Sequence, residues 1–150
     1  MLPKTHTILG FVVSLALFII FSITWWQAGI IFLSSVLIDI DHYLLYVKKN
    51  KDWSLKRAYI FFIKKSNKWK KLSKLQKEKY KHEIIFFHGI EFIIILVLLI
   101  FLSNLFLFIL IGILIHLALD FIDLIKKEAP LHVKSSQIYT HLNNKGKKDF

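Results

Sequence analysis

Long apolar runs separated by short polar gaps dominate this chain. Four runs cover residues 8–25, 28–47, 84–102 and 105–125. A bilayer-crossing helix needs roughly 17–25 mostly apolar residues. The pattern therefore predicts an all-α integral membrane protein with four transmembrane helices. A cleaved signal peptide is the rival reading of the first run. Its apolar length exceeds a usual h-region and no small-residue cleavage site follows it, so it is read as a retained span. Trp26 and Gln27 separate the first two runs, and Ser103 and Asn104 the last two, each gap short enough for a helical hairpin. Pro130 prevents simple continuation of the last helix.

Charge then sets the orientation. Of the 21 Lys and Arg residues, Lys4 precedes the first run, fourteen fall in 48–81 and six follow residue 125. Neither short gap carries one. The positive-inside rule puts both termini and the middle loop in the cytoplasm of a multi-pass cell inner membrane protein. A composition of 55% hydrophobic residues with a net charge of +11 makes sense once the charges go to loops and the apolar residues to lipid. The 150 residues leave room for one membrane domain, a cytoplasmic loop over 48–83 and a cytoplasmic tail over 126–150. The loop interleaves aromatic with basic residues, a pattern suited to interfacial helices on an anionic leaflet. Charge alone would also suit nucleic acid, but no recognition motif accompanies it, so the expected partners are the lipid bilayer and its anionic lipids. The absence of cysteine excludes disulfides, thiolate metal sites and a cysteine nucleophile.

Ionisable residues inside the runs are the next signal, because each costs at least ~2.5–3.5 kcal/mol to place in lipid. The second run carries Asp39, Asp41 and His42, the third His88 and Glu91, the fourth His116, Asp120 and Asp123. His6 stands at the mouth of the first and His82 just before the third. At 1.5 Å rise per residue from the cytoplasmic ends, Asp39, His42, His88, Glu91, His116 and Asp120 lie about 6–14 Å deep. The outer half of every run lacks an ionisable group. Asp39 with His42, His88 with Glu91, and His116 with Asp120 are three or four residues apart, so each pair shares a helix face.

Histidines and carboxylates converging without cysteine suit a divalent transition metal, zinc first, with manganese or iron as alternatives. The candidate ligands are His6, Asp39, His42, His88, His116 and Asp120. An ion with an open coordination position would activate water. Glu91, or a carboxylate outside the ligand set such as Asp41, would be the catalytic base. A site just under the headgroups suits a lipid-like substrate, a membrane-associated ester or phosphoester. The rivals are a polar network that only joins helices and a metal or proton pathway, the latter disfavoured by the apolar outer half. Asp123 is also placed to pair with Lys126 or Lys127, and His132 and His141 fall in the polar tail without an evident catalytic use.

Thr5-His6 before the first run, Asp39-Ile40-Asp41-His42 closing the second, and His116-Leu117-Ala118-Leu119-Asp120 in the fourth resemble the membrane-bound metal-dependent hydrolase family, small multi-pass proteins related to the YdjM-like inner-membrane proteins. The likeness runs over about residues 5–123. It implies metal binding by His6, Asp39, Asp41, His42, His116 and Asp120, and hydrolase activity. Two departures mark a divergent member. Ile38 stands where the family has proline, and His88-Gly89-Ile90-Glu91 replaces the family's central histidine-rich motif. His88 and Glu91 are accordingly assigned from depth and spacing.

Overall fold

The first two apolar runs form a helical hairpin in this computed structural model, which describes residues 3–148; residues 1–2 and 149–150 of the expected single domain lie outside them. Helix α1 (Pro3–Phe21) starts before the apolar run, so His6 lies in the first turn of a helix and is buried. The chain turns at Ser22, whose φ of 50° is left-handed. Gln27 then accepts a hydrogen bond from the Thr24 N–H at 2.8 Å, the reciprocal half of a T-x-x-Q helix start. The turn therefore falls at 22–24, and Trp26 and Gln27 belong to α2 (Trp25–Leu37).

The second run bends where its polar residues begin. Helix α2 stops at Leu37 and α3 (Ile40–Asn50) resumes after Asp39, whose carbonyl accepts from the His42 N–H at 3.1 Å. A left-handed Lys51 closes α3. Helix α4 (Leu55–Lys70) opens on Ser54, and the Asp52 carboxylate grips the Arg57 guanidinium at 2.7 and 2.6 Å. Its apolar face, Ala58 with Phe61 and Phe62, packs on Tyr46 and Val47 of α3. The basic middle segment is thus partly helical, with a short α5 (Lys74–Glu78) after α4.

The third run departs from expectation. Its helix α6 (Ile90–Ile100) has 11 residues, about 16 Å at the usual rise, too short to cross a hydrocarbon core of about 30 Å. The residues before it are extended and then form one 3₁₀ turn, Phe86–His88. Their backbone groups find partners in the tail instead of in a helix. The Gln137 side chain accepts from the Ile85 N–H at 2.8 Å, and Asn144 bonds both the N–H and the carbonyl of His82, at 2.9 and 2.8 Å. The tail, helices α8 (His132–Ser135) and α9 (Gln137–Asn143), is thereby stitched to residues 81–89.

Helix α7 (Leu105–Lys126) is central and packs on α1, α2 and α6. Among the described residues three helical segments are long and apolar enough to cross a membrane: Lys4–Phe21, Trp25–Asn50 and Leu105–Lys126. Leu96, Leu110, Ile113 and Leu117 form the main apolar core with Ile38. Gly112 allows the closest helix contact. A Cβ there would sit 2.3 Å from the Ile31 carbonyl oxygen, so only glycine lets α7 approach α2 this closely. His116 lies one turn beyond it, on the same face.

Candidate metal centre

The break after α2 and the Gly112 contact together orient the first histidine. Carbonyls in the last turn of a helix have no partner within it. That of Ser35 accepts from His116 Nδ1 at 2.8 Å. His116 is fully buried, and His6 of α1 stacks on its ring at 4.2 Å between centroids. A neutral imidazole that donates from Nδ1 presents a lone pair at Nε2.

His88 is oriented in the same way by a different group. Asp41 Oδ2 lies 3.1 Å from His88 Nδ1 and accepts from the Phe87 N–H at 3.1 Å. The carboxylate expected as a catalytic group thus stands behind His88, in the arrangement by which carboxylates fix the tautomer of ligating histidines. The second Asp41 oxygen is buried with no hydrogen-bond partner among the described residues.

The two Nε2 atoms of His88 and His116 face each other at 3.3 Å. Asp39 Oδ1 lies 3.6 and 3.5 Å from them, and Asp120 Oδ2 3.5 and 3.3 Å. His42 Nε2 joins Asp39 at 3.8 Å, and His6 Nε2 reaches the other Asp120 oxygen at 3.4 Å. Three overlapping groups, His6/Asp39/His116, Asp39/His42/His88 and His88/His116/Asp120, each hold their ligand atoms within 4.8 Å of one another. Lone pairs facing inward at these distances repel unless a cation or an added proton lies among them. Imidazole and carboxylate donors in this number fit a borderline divalent ion such as zinc.

Glu91 is used otherwise. Its two oxygens accept from the Ser136 hydroxyl and from the Gln137 and Ile138 N–H groups, each of the last two at 3.1 Å. These are the orphan donors at the start of α9. Glu91 lies in none of the three ligand groups found among the described residues, and its oxygens serve as a helix cap. Gly89 makes room for this, since a Cβ there would meet both Glu91 and Gln137. Asp123 pairs with Lys127, and the rings of His82 and His132 pack together.

Lys134, one of many lysines in the sequence and singled out by no motif, reaches the centre from α8. Its ammonium lies 2.8 Å from Asp120 Oδ2 and 3.3 Å from His42 Nε2. A cavity of about 990 Å³ opens from Asp39, His42, Asp120 and Lys134 toward the apolar side chains of α4.

One family model, described as YdjM inner membrane protein, matches residues 1–130. Neither a curated protein nor a solved structure matches the chain.

Proposed function

The chain belongs to the YdjM inner membrane protein family, and on that premise we propose that it is a membrane-embedded, metal-dependent hydrolase of a membrane-associated ester or phosphoester at the inner leaflet. The observation that carries this reading is the pair of buried histidines whose Nδ1 atoms are engaged from behind, leaving two Nε2 atoms and two carboxylates pointed at one another. His88, His116 and Asp120 with Asp39 and His42 would hold the ion, and His6 packs the floor. Such an ion supplies Lewis-acid activation of water and of a carbonyl or phosphoryl oxygen. Asp41 keeps His88 in the ligating tautomer. Asp39, whose side chain is 29% exposed against 7% for Asp120, is the more open carboxylate of this ligand set and lines the cavity through which substrate would enter.

The orientation we propose puts both termini and α4 on the cytoplasmic side, where the lysines meet anionic lipid. The fourth crossing is made by residues 84–102, part non-helical and part helical. Non-helical backbone is tolerated at that depth only where protein covers it, and the tail supplies the cover. The chain has no cysteine, so a single Ser103→Cys or Gly146→Cys reports sidedness directly. Labelling of position 103 from outside and of 146 from inside is expected; the same side for both would overturn the topology.

The metal reading is tested by elemental analysis of protein purified in mild detergent, with His116→Ala alongside. About one or two equivalents of a transition metal, lost in the variant, are expected. A well-folded protein that binds no zinc, manganese or iron would leave the histidine–carboxylate contacts as a protonated network joining helices. Screening of ester and phosphoester substrates with the loaded protein then tests hydrolysis itself.

A further inference from the structure

We propose that Lys134 is the residue that recognises the ligand's charge, and that the ligand is a phosphate-bearing amphiphile, not a neutral carboxylic ester. This rests on the metal-centre reading above and narrows its substrate class. The Lys134 side chain is only 10% exposed and sits on two candidate ligand atoms, Asp120 Oδ2 and His42 Nε2. A metal ion bound by those lone pairs excludes the ammonium from them. A lysine ammonium on a four-carbon stem then turns to another acceptor. The open direction is the cavity, whose wall Lys134 already forms.

The cavity's composition decides which acceptor fits. Five lysines and four carboxylates line it. A divalent cation added beside those carboxylates leaves a positive excess, which favours an anion over a neutral group. A neutral ester would leave the displaced ammonium in a partly dry site without a counter-charge, a costly state. Phosphate oxygens satisfy it with charge-assisted hydrogen bonds. The far wall supplies the second half of the specificity. Leu55, Tyr59, Phe62 and Ile63 of α4 face the cavity with Leu124 and Val133, an apolar surface for an alkyl chain. A phosphate headgroup at Lys134 with its chain along α4 meets both demands at once.

Calorimetric binding of hexyl phosphate, hexyl acetate and inorganic phosphate to the zinc-loaded full chain tests this, with zinc content measured in parallel. Hexyl phosphate is expected to bind more tightly than either control. Lys134→Met should weaken it by about 10–100-fold, the loss of one charge-assisted hydrogen bond, with zinc content unchanged and hexyl acetate unaffected. Lys134→Arg should retain most of the binding, and Lys56→Ala, outside the cavity lining, all of it. Undiminished hexyl phosphate binding by zinc-loaded Lys134→Met would overturn the proposal and leave the metal centre standing. So would an equal loss in Lys56→Ala, which would mean general surface charge. Inorganic phosphate binding as tightly as hexyl phosphate would overturn the amphiphile. Wild-type protein without zinc would remove the metal-centre reading and this inference with it.

Discussion

Two neighbouring apolar runs, 84–102 and 105–125, end in different structures. The second becomes α7, an unbroken helix that satisfies its own backbone and presents His116 and Asp120 one turn apart. The first yields only the short α6, and the residues before it are extended and rely on Gln137 and Asn144 for their hydrogen bonds. Hydrophobicity alone does not separate them. What separates them is the polar content of the tail, which offers side-chain amides where the helix would otherwise have to close on itself. The rigid helix fixes two candidate ligands by register; the stitched segment fixes His88 by tertiary contacts. The centre needs both, since His88 and His116 meet at 3.3 Å.

The contrast is broken most severely from the α7 side. Gly112→Leu forces side-chain atoms into the Ile31 carbonyl and Ser34, and should cost about 3 kcal/mol or more as an overpacking change. It should also pull His116 from Ser35 and lower bound metal. Gly29→Leu, where a Cβ would meet nothing within 4 Å, is the control and should leave thermal unfolding in detergent unchanged. Equal effects at both glycines would refute the close-approach argument.

On the stitched side, Gln137→Ala strands the Ile85 N–H in the interior and should cost about 1–3 kcal/mol. Hydrogen exchange should speed up at Ile85 while the amides of α7 stay protected. If α7 loosens equally, the two regions are one cooperative unit. Glu91→Gln should cost less, about 1 kcal/mol, by weakening the cap of α9. It should leave metal content intact, whereas a ligand would not. Full loss of hydrolysis with metal and stability unchanged would return Glu91 to the chemistry.

A further effect is one of pH. Burial, with His132 and Lys147 nearby, pushes the His82 imidazole down to about 4. The unfolded chain therefore binds more protons between pH 6.5 and 4. The stability that neutral His82 contributes is fully present above pH 6.5 and lost as pH falls through that window. His82→Phe should flatten the pH dependence of the melting temperature there. An unaltered profile would mean that another group governs it.

Much of this was legible in the apolar pattern. Three of the four runs contain helices long and apolar enough to cross a membrane, and the depth and spacing of Asp39, His42, His88, His116 and Asp120 anticipated that they meet. Helix starts were less visible: the T-x-x-Q signal at Thr24 and Gln27 puts the turn at 22–24, ahead of the Trp26–Gln27 gap that apolar run length alone indicates. Glu91 illustrates the limit of spacing, since it shares a register with His88 but Gly89 and the 3₁₀ turn put the two on different elements. Lys134 carried no local signal, because one lysine in a basic tail is indistinguishable from its neighbours until the chain folds back.

The sequence by itself determined a helical membrane protein with an inward layer of histidines and carboxylates, because bilayer solvation and helix periodicity act on local composition and spacing. Only the tertiary structure decided which nitrogen of each histidine faces the centre, that Glu91 caps α9, that residues 81–89 leave the helix, and that Lys134 closes the cavity. Each of those depends on contacts between segments far apart in the chain, such as Ser35 with His116 and Ile85 with Gln137. Local periodicity carries no record of such pairings.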